Sequence, residues 1–105
     1  MRIQFKTEGG IAYFPGLSKP ATIDTNELPA KEANELEQLI EAAVFFDLPV
    51  DFAPPRGAAD YRQYTISVTA LGHTHTTRLV DPIEDPNVQA LVDYLEVKAR
   101  ELRMS

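Results

Sequence analysis

Tyr64-Thr65-Ile66-Ser67-Val68-Thr69-Ala70-Leu71-Gly72-His73 decides the fold class, because apolar and hydroxyl-bearing residues alternate along it without a break until a glycine interrupts them. Tyr64, Ile66, Val68 and Ala70 fall on one face and Thr65, Ser67 and Thr69 on the other, the pattern of a strand with one buried and one wet side. Gly72 supplies a turn, so a partner strand is expected from about His73 to Val80. The opening repeats the alternation: Ile3, Phe5 and Thr7 oppose Arg2, Gln4 and Lys6. That strand runs into Gly9-Gly10, where glycine permits a tight reversal presenting Ile11 to Phe14.

Outward from the strands the period changes. Leu36, Leu39, Ile40, Ala43 and Val44 recur at helical spacing, with Lys31, Glu32, Glu35, Glu37 and Glu41 in the remaining directions. Pro29 suits the first turn of this helix, and Pro49, after Phe45, Phe46 and Leu48, closes it. A second stripe comprises Val88, Leu91, Val92, Leu95, Ala99 and Leu102, with Asp85 as N-cap, Pro86 at the first helical position and Lys98, Arg100 and Arg103 toward the C-terminal end. Between the breakers Pro15, Gly16 and Pro20 and the turn-like Asp24-Thr25-Asn26 lies a short extended piece, Ala21 to Asp24. Val50 to Asp60, with Pro54-Pro55 and Gly57, follows neither period and reads as the one long loop. The expectation is one α+β domain over residues 1–105, an antiparallel sheet of about four to five strands packed by two amphipathic helices; two small separate sheets are the alternative.

Composition narrows the function. With 105 residues the chain has room for one core and little else, so function is expected at the surface. Sixteen acidic against ten basic side chains give a net charge of −6, which disfavours a nucleic-acid partner. Its apolar runs are too short for a membrane span. Cysteine is absent, which removes disulfides and thiolate chemistry; with no leader-like opening, the expected compartment is the cytoplasm.

The chemistry-bearing residues form no catalytic set. His73 and His75 are two apart on a strand and can share a face, but a zinc site needs a third ligand, and none stands at a recognised spacing. Asp81, Glu84 and Asp85 lack the glycine and the spacing of a calcium loop. No serine sits in a nucleophile elbow and no glycine-rich loop precedes a helix as a phosphate cradle. No catalytic residue, metal site or cofactor is assigned, and a binding protein is the expectation.

Taken in order, the opening strand into Gly9-Gly10-Ile11-Ala12, Asp24-Thr25 with Leu28, Glu35-Leu36 leading to Phe45-Phe46 and Leu48-Pro49, then Asp60, Tyr64, Ile66, Val68, His75-Thr76 and a leucine-bearing last helix resemble the emfourin family. These are small protein inhibitors of protealysin and related thermolysin-like zinc metalloproteases. Ile11 stands where the family tends to place an aromatic, and Tyr13 where it tends to place another glycine. The resemblance implies a cytoplasmic protein that occludes a metallopeptidase active site, with no catalytic residue of its own. A cleft that prefers bulky apolar groups makes Gly9, Gly10, Ile11, Ala12, Tyr13 and Phe14 of the first loop, and Phe52, Pro54 and Pro55 of the second, the candidate protease contacts. A non-inhibitory interaction module of the same fold, an adaptor or a dimer, is the second reading; a small metal-dependent enzyme around His73 and His75 is the third.

Overall fold

The alternating stretches pair into one sheet. The structure, a computed structural model, describes residues 1–9, 20–50, 62–80 and 83–104. Its strands are β1 (Arg2–Gly9), β2 (Ala21–Asp24), β3 (Arg62–Ala70) and β4 (His73–Val80), all neighbours antiparallel in the order β2-β1-β3-β4. Two helices, α1 (Ala30–Ala42) and α2 (Pro86–Met104), complete an α+β architecture, and a single sheet replaces the two-sheet alternative among the described residues. No helix among these residues is long and apolar enough to cross a membrane.

Period two in the sequence becomes two unlike faces. Ile3, Phe5, Ile23, Tyr64, Ile66, Val68 and Leu79 are buried in one cluster with Leu36 and Ile40 of α1, Ala43 just after it, and Val88, Leu91, Val92, Leu95 and Ala99 of α2. The opposite face is polar, and hydroxyl pairs cross it: Ser67 with Thr76 at 2.7 Å and Thr69 with Thr74 at 2.8 Å. Such cross-strand pairs fix register, since a slip of one residue would turn the apolar set into water.

The caps explain where the helices begin. The Asp85 carboxylate accepts the Asn87 backbone N–H at 2.8 Å and its carbonyl accepts from Gln89, so α2 starts at Pro86 as its sequence requires. Asp24 caps a single 3₁₀ turn, Thr25–Glu27, by accepting from the Asn26 N–H at 2.9 Å. Pro29 stands one residue ahead of α1, at the cap itself, where its carbonyl accepts from Ala33.

Two expectations need correction. α1 ends at Ala42, well before Pro49: Val44 takes a left-handed conformation (φ 50°), its N–H bonded to the Glu41 carbonyl, and a 3₁₀ turn, Phe45–Asp47, follows. A left-handed residue rotates the chain out of the helix, so Val44 is 54% exposed while Ala43 and Phe45 are buried. Leu102 leaves the α2 stripe in the same sense, 43% exposed in the last turn. Gly9 is the last residue of β1, paired with Arg62, and β1 meets β2 only as far as Phe5 opposite Ala21. Gly10 and Ile11 to Phe14, the stretch that the expected reversal would present, lie outside the described residues.

Candidate functional site

Antiparallel register gathers the stems of both candidate loops at one end of the sheet. Segment 10–19 leaves β1 at Gly9, and segment 51–61 enters β3 at Arg62, the residue paired with Gly9. Of the candidate contacts, Gly9 is thus placed beside the end of the second loop. Gly10, Ile11, Ala12, Tyr13, Phe14, Phe52, Pro54 and Pro55 lie outside the described residues.

The stems are firmly held. Leu48, Pro49 and Val50 run along the outer edge of β4, and three successive carbonyls are taken: that of Leu48 by His75 Nε2 at 2.7 Å, that of Pro49 by the Thr77 hydroxyl, and that of Val50 by the Arg78 N–H at 2.8 Å. The last of these also satisfies a backbone N–H on the outer edge of β4. At the other stem, Arg62 lies 3.6 Å from Glu96 of α2, with its guanidinium 5.7 Å from the centre of the Tyr64 ring. Phe5 and Tyr64 stack below it with centroids 6.2 Å apart. Loops that start from fixed stems lose less conformational entropy when they bind.

His75 accordingly has a structural place. It shares the core-facing side of β4 with buried Thr77 and Leu79, its ring packs edge-on against Phe45 at 5.6 Å, and Nε2 faces a carbonyl, to which it donates. His73 is exposed near the start of the strand. Among the described residues no three His, Asp or Glu side chains gather as metal ligands.

Sequence reasoning passed over two features. Thr77 sits among polar residues in the sequence and carries no visible mark of burial, yet it is fully buried and ties down Pro49. Lys98, grouped by sequence with the cations near the end of α2, is only 8% exposed and bridges the helices, 3.2 Å from Glu32 of α1 and 3.1 Å from Glu101. Burial alone would lower its pKa, but the bonds to Glu101 and Glu32 outweigh it and raise it. Tyr94, whose hydroxyl donates to the Glu32 carbonyl at 3.4 Å, is raised chiefly by burial.

Among solved structures the chain is similar to emfourin (M4in) from Serratia proteamaculans, an M4 family peptidase inhibitor, with 22% identity over 88% of this chain and 82% of that one and a TM-score of 0.34. No curated protein matches it. The emfourin family profile matches residues 5–96, from the middle of β1 into α2, and on that match the chain belongs to the emfourin family.

Proposed function

We propose that this chain is a proteinaceous inhibitor of a thermolysin-like zinc metalloprotease that blocks the active-site cleft sterically and catalyses nothing itself. The observation that carries this reading is family membership over residues 5–96, in the family that shares its name with the Serratia M4 peptidase inhibitor. The positions of the flanking residues support it: segments 10–19 and 51–61 leave and enter the sheet at the paired residues Gly9 and Arg62, and fixed flanks suit a protein that must enter a cleft at small entropic cost. The contacts we propose are the stretch from Gly9 to Phe14 together with Phe52, Pro54 and Pro55. Their apolar side chains match a cleft that takes bulky apolar groups. The compartment proposed is the cytoplasm, in keeping with a chain that has no cysteine.

The test is a titration of the purified chain into thermolysin and into a thermolysin-like enzyme of the same organism, following cleavage of a peptide substrate. Stoichiometric loss of activity is expected, relieved by excess substrate. Gly10→Pro combined with Ile11→Asp should abolish it and leave the circular dichroism spectrum unchanged. Binding without loss of cleavage would replace inhibition by an adaptor role.

A further inference from the structure

The end of the sheet opposite Gly9 and Arg62 carries an exposed apolar surface. Along β1 it lies roughly 23 Å from Gly9, at about 3.3 Å per residue. A groove of about 640 Å³ opens there between Met1, the last turns of α1 and the 3₁₀ turn Phe45–Asp47. Ile40 and Phe45 line its apolar part, Val44 and Phe46 stand 54% and 43% exposed beside them, and Glu37, Glu41 and Asp47 are its charged side chains. Phe46 is held in place, edge-on to Phe45 at 5.8 Å and tilted over His75 at 6.3 Å. Arg2, next to Met1, pairs with Thr69, and β3 ends one residue later at Ala70, where the β3–β4 turn begins. In that turn Leu71 is 99% exposed at φ 52°.

Val44 and Leu71 are the described non-glycine residues with positive φ, and both present apolar side chains to water. Each position favours glycine or asparagine; the fully exposed leucine adds strain with no burial in return, and the half-exposed valine regains only part of its burial. Backbone strain combined with exposed apolar surface marks a place where another molecule supplies the missing contact. The charges state its chemistry: among the described residues that line the groove, three carboxylates flank apolar side chains and no Lys, Arg or His side chain joins them.

We propose that this groove and the Leu71 tip bind a cationic amphipathic peptide segment of another protein, its apolar side chains seated against Val44, Phe46 and Leu71 and its Lys or Arg side chains facing Glu37, Glu41 and Asp47. None of the groove's described lining residues is among the proposed protease contacts, so this binding stands whether or not the chain inhibits a protease. Partners at the two ends can be held together.

The test uses the full ¹⁵N-labelled chain titrated with the peptide acetyl-Lys-Leu-Phe-Arg-Leu-Lys-amide. Saturable amide shifts are expected at Glu41, Val44, Phe46, Asp47 and Leu71, weakening as salt screens the carboxylates. Charge reversal by Glu37→Lys with Glu41→Lys should weaken binding by about tenfold or more. Val44→Gly, which relieves the backbone, should weaken it by about threefold or more while the chain stays folded. No saturation by ~1 mM peptide overturns the proposal, as does equal binding of a peptide with Glu for its cations or Gly for its apolar residues. Concentration-dependent shifts of the same amides without peptide would assign the groove to a second copy of this chain and overturn it equally.

Discussion

Replacing Leu71 by Asn should stabilise the protein, although it removes a large apolar side chain. Leu71 is 99% exposed, so at about 25 cal/mol per Å² the burial lost is close to zero. What remains is the backbone. At φ 52° a leucine suffers a left-handed strain of about 1–2 kcal/mol, and Asn, whose short side chain bonds locally, relieves roughly half of it. Both central residues of the turn have positive φ, Gly72 at 80°, and Asn-Gly is the favoured pair for such a hairpin. The expected gain is about 0.5–1 kcal/mol, or a Tm raised by roughly 2–4 °C for a domain of this size. Thermal and urea denaturation of both proteins, with an unchanged urea m-value, would measure it. Val44→Gly is the internal comparison. There, relief of about 1–2 kcal/mol is offset by half of a valine's burial, about 1 kcal/mol, and by the extra freedom of glycine in the unfolded chain, about 0.5–1 kcal/mol, leaving a change near zero. A Leu71→Asn protein no more stable than the parent would refute the reasoning, because Leu71 would then contribute to folding. If stability rises while the cationic peptide binds less well, the strain is retained for binding.

Thr77→Val keeps the shape of a buried side chain but leaves the Pro49 carbonyl without its donor; we expect a loss of about 1 kcal/mol in urea denaturation and weaker inhibition from a loosened stem, whereas unchanged values for both would remove Thr77 from that role. Stability should fall at alkaline pH. Lys98 and Tyr94 both hold their protons more tightly folded than unfolded, so their contributions are complete below the ordinary values of 10.5 and 10.0 and are lost as pH rises through the higher folded values. Lys98→Met should flatten that decline while changing stability at neutral pH by less than about 1 kcal/mol, since Glu32 and Glu101 are 40% and 60% exposed; an alkaline slope equal to the parent's would show that Lys98 does not contribute to it.

The local pattern determined a great deal. Alternation from Tyr64 and from Ile3 specified strands and their buried faces, the turn at Gly72 set the β3–β4 hairpin, and Asp85-Pro86 marked the start of α2. These follow from sequence because period, cap chemistry and glycine's access to positive φ depend on residues a few positions apart. The order and spacing of the same pieces also pointed to the emfourin family, to which the chain belongs.

Tertiary structure decided what depends on distant partners. Leu39, Ile40, Ala43 and Val44 read as one stripe, yet a left-handed turn at Val44 divides it, because Phe45 reaches the core only if the helix stops first. His75 and Thr77 became the clasp on Leu48–Val50 only through a contact across some 27 or 28 residues, and Lys98 left the surface only because Glu32 of another helix meets it. Gly9 gained Arg62 as its neighbour through strand register, which brings the stems of both candidate loops to one end of the sheet. A periodicity states which way a side chain faces within its own element; which element it then meets is fixed by the packing of all of them together.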